Sequence, residues 1–250
     1  MKKRIIVGNW KMNPISLDLA KKLFKSTKST ADKLNSVKVI VCPPFVYIPS
    51  LVKTISSVSI GAQNVNAEGQ GSFTGEVSPL MLKDLGVSHV IVGHSERRKM
   101  GETDENISNK VQALLEQDIS PILCIGEKER NEDGSHLEFL KEQIKNSLNK
   151  VNKKNIDKLI VAYEPIWAIG AKEAMNSSEI YETSIFIKKV LSDIYGHDLA
   201  VSTPILYGGS VNFRNALEIF EKGQVDGLLI GRESVNPPSF VELLKTVDIA

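Results

Sequence analysis

The stretch Leu159-Ile-Val-Ala-Tyr-Glu-Pro-Ile-Trp-Ala-Ile-Gly170 opens with four apolar residues, places an acid at Glu164 and ends in an apolar loop. Four consecutive apolar residues leave no face for water, so Leu159–Ala162 is predicted to be a buried strand that ends at the acid. Pro165 then stops both strand and helix. Because strands that are apolar throughout are typical of parallel sheets with both faces covered, the stretch favours a parallel α/β fold.

The loop that follows Glu164 indicates a function for the acid. Loops are usually polar, so an apolar loop with Trp167 at its centre must cover something. An acid beneath a flap that excludes water suits proton transfer, because a desolvated carboxylate is a stronger base. The alternative is a strand end whose Trp167 simply fills the core. These residues alone leave both interpretations open.

Short apolar runs and helical patterns alternate along the whole chain. Eight runs, seven of them rich in Val and Ile, are predicted to be strands: Arg4–Val7, Val37–Val41, Val58–Ile60, His89–Val92, Ile122–Ile125, Leu159–Ala162, Pro204–Leu206 and Gly227–Ile230. Helical patterns between them include Leu17–Leu34, Thr103–Gln117, His136–Asn149, Ser178–Tyr195 and Asn212–Phe220. This alternation predicts parallel strands joined by right-handed crossovers.

The number of units predicts how the sheet is arranged. Eight units in 250 residues give about 31 residues each, the length of one β/α module, and no linker divides residues 1–250 into separate domains. An open doubly wound sheet should carry a Gly-x-Gly-x-x-Gly turn after an early strand, and Gly69–Gly75 has the wrong spacing. We therefore expect one closed (β/α)8 barrel domain.

Charge and cysteine usage exclude several classes of function. With 31 basic and 30 acidic residues the net charge is +1, so neither a nucleic acid nor an anionic membrane is expected as a partner. The basic start Met1–Arg4 precedes too few apolar residues for a signal peptide, and no later run is long enough to span a bilayer. We expect a cytoplasmic protein in which Cys42 and Cys124 are buried, reduced thiols.

Polar side chains and glycines follow the predicted strands, at the end of the barrel where the chemistry of such folds lies. These strand ends are Asn9-Trp10-Lys11, Cys42-Pro43-Pro44, Gln63-Asn64, His94-Ser95-Glu96, Gly126-Glu127, Glu164, Gly208-Gly209-Ser210 and Gly231-Arg232. One lysine, one histidine, several carboxylates and two glycine turns suit a small anionic substrate that exchanges protons.

The four histidines differ in context. His94 opens a short predicted helix, whose dipole disfavours the protonated ring, and a neutral imidazole can donate a hydrogen bond to a carbonyl. The alternative for His94 is a capping or core histidine. His89 lies inside a predicted strand and is interpreted as structural, whereas His136 and His197 are expected at the surface near helix ends.

Lys11 and the glycine turns predict an anion site. An ammonium at Lys11 would hold an anion over the pocket, and the amide of Asn9 suits an oxyanion; the alternatives are a solvated lysine and a turn residue. Glycines at Gly208-Gly209 and Gly231 let backbone N–H groups approach a phosphate after strands seven and eight. The two glycine turns together are stronger evidence for a phosphate site than either turn alone.

Five segments together resemble the triosephosphate isomerase family. They are Asn9-Trp10-Lys11, Gly61–Val65, Val92–Arg98, Ala162–Gly170 and Tyr207–Asn212. The resemblance covers the chain in order and implies a TIM barrel. It further implies interconversion of D-glyceraldehyde 3-phosphate and dihydroxyacetone phosphate through an enediolate, in glycolysis and gluconeogenesis. Neither a metal nor an organic cofactor is implied.

The resemblance also implies a role for each catalytic side chain. Glu164 would move the proton between C1 and C2, and His94 would polarise the carbonyl and relay protons between the oxygens. Lys11 and Asn9 would stabilise the enediolate, with Glu96 supporting the lysine and the histidine. The family is itself a standard example of a neutral catalytic histidine and a loop that excludes water.

Substrate binding, the lid and the dimer are implied in the same way. Phosphate contacts would come from backbone N–H groups at Gly170, Gly209, Ser210, Gly231 and Arg232. The lid would comprise Pro165, Ile166, Trp167, Ala168, Ile169 and Gly170. The family forms homodimers, and Gln70–Glu76 resembles its interdigitating loop, with Thr74 reaching toward Asn9 and Lys11 of the partner subunit.

Two places depart from the family pattern. The family usually ends its lid with Gly-Thr-Gly-Lys, whereas Gly170-Ala171-Lys172-Glu173 lacks the second glycine, and the alignment of Ala171–Ala174 stays open. Loss of a glycine from a hinge is expected to change the rate or geometry of closing. Gly231-Arg232 replaces Gly-Gly; the N–H survives, but the turn and the direction of the Arg232 side chain are left open.

Two other functions fit parts of the pattern. Another barrel enzyme acting on a sugar phosphate would share the glycine turns, but it need not combine His94 with Glu164 and the Trp167 flap. A non-catalytic barrel that binds phosphate ligands or a protein partner would explain the altered hinge. The presence of Asn9, Lys11, His94 and Glu164 together argues against this last alternative.

Overall fold

In the computed structural model, which describes residues 3–54, 57–131, 133–171 and 174–248, eight parallel strands form a closed barrel. Each strand pairs with the next one in the chain, and the eighth pairs with the first. The strands are β1 (Arg4–Asn9), β2 (Val37–Cys42), β3 (Ser59–Ala62), β4 (His89–Val92), β5 (Ser120–Ile125), β6 (Ile160–Tyr163), β7 (Ile205–Tyr207) and β8 (Gly227–Ile230). The predicted (β/α)8 barrel is confirmed.

Several predicted strand bounds were wrong by one or two residues. β1 continues past Val7 to Asn9, because Gly8 and Asn9 keep pairing with β2. β6 begins after Leu159, whose N–H bonds to Ile156 in a preceding 3-10 turn. Glu164 is therefore the first residue after β6 rather than its last, although its N–H still bonds to the Ile125 carbonyl at 2.7 Å.

Helices lie between the strands and cover the outside of the barrel. They are α1 (Leu17–Ala31), α2 (Ile48–Leu51), α3 (Pro79–Asp84), α4 (Ser95–Lys99), α5 (Asp104–Glu116), α6 (Ser135–Ser147), α7 (Ser177–Tyr195), α8 (His197–Ser202), α9 (Ala216–Gly223) and α10 (Pro237–Val247). Thr103, where a helix was predicted to start, is the N-cap of α5 and forms a reciprocal capping box with Asn106. Among the described residues, no helix is both long and apolar enough to cross a membrane.

The predicted helix from Asn212 was wrong at its start. Asn212 accepts the N–H of Arg214, and Asn215 accepts the N–H of Asn212. Such side-chain bonds to the local backbone compete with helix formation, so α9 begins only at Ala216. The delay leaves Gly208–Asn215 as an irregular segment at the mouth of the barrel.

The apolar interior forms two layers. One lies inside the barrel and consists of Ile5, Val7, Ile40, Cys42, Ile91, Ile122, Cys124, Ile160, Ala162, Leu206 and Leu229. The larger one packs the outside of the strands against the helices. Cys42 and Cys124 are free and buried, as predicted, and burial raises the pKa of both thiols. Because the interior is packed with side chains, a substrate can bind only at an end of the barrel.

Three histidines were predicted to be structural or to lie at the surface. His89 is buried in β4, where burial and the neighbouring Lys38 lower its pKa to about 3. His197 is exposed at the start of α8, as predicted. The prediction for His136 was wrong: the residue is buried, because it lies on the same face of α6 as Leu140 and Gln143.

Candidate active site

A cavity of about 430 Å³ opens at the carboxyl ends of the strands. The predicted site residues that line it are Asn9, Lys11, His94, Glu164, Ile169, Gly170, Gly209, Ser210, Gly231 and Arg232. Glu96 and the first four lid residues do not line it. The predicted residues in the lining therefore supply one carboxylate, one imidazole, two cations and both glycine turns, and Glu233 adds a second carboxylate.

Glu164 projects into this cavity beside His94. Its carboxylate is almost fully buried, and Oε1 lies 3.2 Å from His94 Nε2. Oε2 has no hydrogen-bond partner within the described part of the chain. A buried carboxylate oxygen without a partner is costly and is the kind of group that a substrate would satisfy.

Two glycines make room for Glu164. A Cβ at Gly126 would lie 1.9 Å from the Glu164 carbonyl oxygen, and a Cβ at Gly208 would lie 2.7 Å from Glu164 Cγ. A side chain at Gly126 would displace the main chain of Glu164, and one at Gly208 would displace its side chain. Both glycines were predicted at strand ends but were not connected with Glu164, because a close approach between β5, β6 and β7 has no sequence signal.

His94 is held in one orientation. It is the N-cap of α4, and its Nδ1 accepts the N–H of Glu96 at 3.2 Å. A nitrogen that accepts a hydrogen bond carries no proton, so the neutral ring has its proton on Nε2, which faces Glu164. The ring can therefore donate from Nε2 to a group inside the cavity.

The pKa of His94 reflects opposing effects. Burial lowers the pKa, but the charge of Glu164 and its hydrogen bond raise it, and the net direction is upward. The bond from the Glu96 N–H opposes protonation of Nδ1. The prediction from sequence rested on the helix dipole, which favours the neutral ring. It did not include the carboxylate of Glu164, which favours the protonated ring.

Lys11 has an unusual backbone conformation. Its φ is +52°, in the left-handed region that non-glycine residues rarely adopt. Asn9 Oδ1 accepts the Lys11 N–H at 3.0 Å, and Gln63 Nε2 donates to the Lys11 carbonyl at 2.8 Å. These two bonds support a conformation that costs about 1 kcal/mol or more. Gln63 was noticed at its strand end, but no role was predicted for it.

The ammonium of Lys11 forms an ion pair with Glu96. Nζ lies 2.6 Å from Oε1, and the other carboxylate oxygen of Glu96 lies 3.7 Å from His94 Nδ1. Burial raises the pKa of Glu96, but the hydrogen bond and charge of Lys11, together with His94 and Lys99, bring the pKa below its ordinary value, so the carboxylate stays ionised. Glu96 thus contacts both residues that it was predicted to support.

The lid segment Pro165–Gly170 is anchored at both ends. Trp167 donates its indole N–H to Glu127 Oε1 at 3.1 Å, and Ile166 N–H bonds to the Glu127 carbonyl at 2.9 Å. Beyond the lid, Ser210 Oγ donates to the Ala171 carbonyl at 2.8 Å, and Met175 N–H bonds to Tyr207 Oη at 3.0 Å. The lid is therefore tied to the loops after β5 and β7.

The exposed fraction of Trp167 decides between the two interpretations of the loop. The side chain is 42% exposed, so it does not fill the core. Its partner Glu127 is buried and also accepts the Tyr163 hydroxyl at 2.8 Å. Glu127 was given no role from sequence, because its importance depends on two donors that meet only in the folded chain. Lys172 and Glu173 of the hinge lie outside the described residues.

The segment Gln70–Glu76 lies near the same end of the barrel. Residues 71 to 76 are all exposed, Phe73 to 48%. Phe73 lines a second cavity together with Arg97 and Met100. Among the described residues, no cluster of three or more His, Cys, Asp or Glu side chains is arranged to hold a metal ion.

Comparisons with known proteins agree with this geometry. A sequence model of the family described as triosephosphate isomerase matches residues 4–247. A triosephosphate isomerase of Dehalococcoides mccartyi is 45% identical over 98% of this chain and 97% of its own length. The triosephosphate isomerases of Finegoldia magna and Fusobacterium nucleatum are each 43% identical over 98% of this chain, and over 98% and 99% of their own lengths. The chain belongs to the triosephosphate isomerase family.

Proposed function

We propose that this chain interconverts D-glyceraldehyde 3-phosphate and dihydroxyacetone phosphate. The observation that carries the proposal is the 3.2 Å contact between Glu164 Oε1 and His94 Nε2 inside the cavity. A base and a hydrogen-bond donor that face one small space are what an aldose–ketose isomerisation needs. Membership in the family supports the same reaction.

The proton transfers follow from these positions. Glu164 takes a proton from the carbon next to the substrate carbonyl, and the electron pair moves to the carbonyl oxygen. His94 donates from Nε2 to that oxygen and passes a proton between the two oxygens of the enediolate. Glu164 then returns its proton to the neighbouring carbon. Lys11 and the amide of Asn9 stabilise the negative charge of the intermediate.

The phosphate of the substrate belongs at the other side of the cavity. Backbone N–H groups of Gly170, Ser210, Gly231 and Arg232 are the proposed donors, with Gly209 allowing a close approach. A Cβ at Gly209 would lie 2.1 Å from the Tyr207 hydroxyl, so only glycine fits there. The lid covers the reacting carbons and excludes water.

We further propose a homodimer and a cytoplasmic location for a single barrel formed by residues 1–250. Thr74 of the exposed loop would enter the cavity mouth of the partner subunit. Large apolar side chains near this face support the interface, since Met12 is 93% exposed and Met100 is 80% exposed. Apolar surface of this kind is typical of an interaction site.

A coupled assay of glyceraldehyde 3-phosphate turnover tests the reaction and the role of the base. Replacing Glu164→Gln is expected to lower kcat by at least about 10²-fold, because a general base is removed. Glu221→Gln, at an exposed position of α9, is the matched control and should retain activity. Equal activity of the two variants would overturn the role of Glu164. Absence of turnover by the unmodified protein would favour a non-catalytic phosphate-binding barrel.

A further inference from the structure

Arg232 carries a charge that the proposed mechanism does not use. It follows β8 as the first residue of a short 3-10 turn, Arg232–Val235, and it lines the cavity. Its side chain is exposed, and among the described residues no carboxylate forms an ion pair with it. Lys11, the other cation of the cavity, is already paired with Glu96. Within the described part of the chain, the Arg232 guanidinium is thus the cation of this cavity that has no carboxylate partner.

The position of the guanidinium links it to the lid. One terminal nitrogen of Arg232 lies 3.6 Å from the point that a Cβ on Gly170 would occupy. Gly170 has a φ of +71°, a conformation that disfavours any side chain. The arginine therefore lies beside the main chain of the lid and does not point away from the cavity, which answers the question that the sequence left open.

Lys11 lies close to the same turn. Its Cε and Nζ are 3.3 Å and 3.9 Å from the point that a Cβ on Gly231 would occupy. Gly231, the residue proposed to donate its N–H to the phosphate, is therefore close to Lys11 and is followed directly by Arg232. Two positive side chains in the lining of one cavity strengthen the binding of an anion there.

We propose that the Arg232 guanidinium binds the phosphate group of the substrate directly, in addition to the backbone N–H of the same residue. This proposal rests on the proposed function. The planar guanidinium matches two phosphate oxygens at once, which an ammonium cannot do. Because the guanidinium lies beside Gly170, a phosphate held by it also meets the lid, so the same contact favours the closed lid.

Steady-state kinetics of Arg232→Gln test the proposal. This variant keeps the backbone N–H and removes only the positive charge and the paired N–H donors of the guanidinium. We expect kcat/KM for glyceraldehyde 3-phosphate to fall about tenfold, the effect of losing a hydrogen bond to a charged group. Inhibition by inorganic phosphate should weaken by a similar factor. Arg232→Lys should recover part of both losses, because it restores the charge without the paired donors.

Two further measurements identify the phosphate as the group that is bound. Turnover of unphosphorylated D-glyceraldehyde can be measured as the exchange of its carbon-bound hydrogen with deuterium. This rate should be equal in Arg232→Gln and the unmodified protein. Arg214→Gln removes an exposed charge that lies outside the cavity lining, and all its parameters should stay unchanged. Added salt should reduce the difference in kcat/KM between Arg232→Gln and the unmodified protein, because salt screens the charge of the guanidinium.

Three results would overturn this role of Arg232. They are an unchanged kcat/KM and phosphate inhibition in Arg232→Gln, an equal loss in Arg214→Gln, or an equal loss with unphosphorylated glyceraldehyde. Each of them leaves the proposed reaction intact, provided that the unmodified protein turns over glyceraldehyde 3-phosphate and that Glu164→Gln lowers kcat by at least about 10²-fold. The two proposals therefore fail separately.

Discussion

Trp167 in the lid donates its indole N–H to the buried carboxylate of Glu127, across 3.1 Å. The acceptor oxygen belongs to the loop after β5, whereas the donor belongs to the segment after β6. The same oxygen also accepts the hydroxyl of Tyr163. One carboxylate oxygen thus connects the lid with the rigid strand beneath it.

Trp167→Phe tests this connection. The variant keeps an aromatic ring but removes the donor to the Glu127 carboxyl group, and the loss of such a hydrogen bond changes an equilibrium constant by about tenfold. We expect kcat/KM to fall by up to that factor. We also expect kcat to depend more strongly on solvent viscosity, because lid closure then limits kcat to a greater extent. Tyr163→Phe is the matched control: it removes the other donor to Glu127 and should mainly lower thermal stability. Indistinguishable kinetics of Trp167→Phe and the unmodified protein would show that the bond does not hold the lid.

Gly208→Ala tests the space around the base. The added Cβ would lie 2.7 Å from Glu164 Cγ, so the carboxylate must move. A displacement of about 1 Å at a reacting group is expected to cost about 10²-fold in kcat. Gly69→Ala is the control, because its Cβ would meet only the end of Leu80, at 3.2 Å. Full activity of Gly208→Ala, with a fold shown intact by circular dichroism, would contradict the packing argument.

The lowered pKa of the buried His89 predicts that the stability of the fold depends on pH. Burial and Lys38 lower its pKa from 6.5 to about 3 in the folded chain. The unfolded chain therefore binds a proton that the folded chain does not, so His89 stabilises the fold above pH 6.5. This contribution is lost as the pH falls from 6.5 toward 3, by up to about 1.4 kcal/mol per pH unit.

Denaturant titrations between pH 4 and 7 measure this slope. His89→Gln should make the free energy of unfolding fall less steeply with decreasing pH than it does in the unmodified protein. His197→Gln, at an exposed position, should leave the slope unchanged. Parallel pH profiles for His89→Gln and the unmodified protein would rule out His89 as the source.

Thr74→Arg tests the proposed homodimer. A bulky charge in the exposed loop should clash with the partner subunit and shift sedimentation from dimer to monomer, with a loss of activity in proportion. Ser29→Arg, at an exposed position of α1, is the control. A monomeric unmodified protein, or a dimer that persists in Thr74→Arg, would exclude the proposed interface.

Strand ends are the part of the site that the sequence predicts well. Asn9, Lys11, His94 and Glu164 each follow a short apolar run, and the alternation of runs and helices requires those ends to meet on one side of a barrel. The start of α5 at Thr103 was equally readable, because capping depends on neighbouring residues alone, whereas α7 is capped by Asn176, which was not predicted.

Features that depend on contacts between distant segments were not predicted. Glu127 matters because Tyr163 and Trp167 converge on it, and Gly208 matters because Glu164 packs against it. Local propensity carries no information on such encounters, so Glu127 and Gly208 had no sequence signal. His136 differs, because it shares a face of α6 with Leu140 and Gln143 at a helical spacing that the sequence contains.

The pairing of β8 with β1 has a consequence for the synthesis of the chain. Gly8 lies opposite Ile230, so Asn9 and Lys11 come beside Gly231 and Arg232 only when the first and last strands have joined. A ribosome makes β1 first and β8 last, and domains generally fold as units. A growing chain that already contains Glu164 and His94 therefore still lacks its anion site. Catalysis should begin only after β8 has left the ribosomal tunnel, which makes the appearance of activity a direct report of barrel closure.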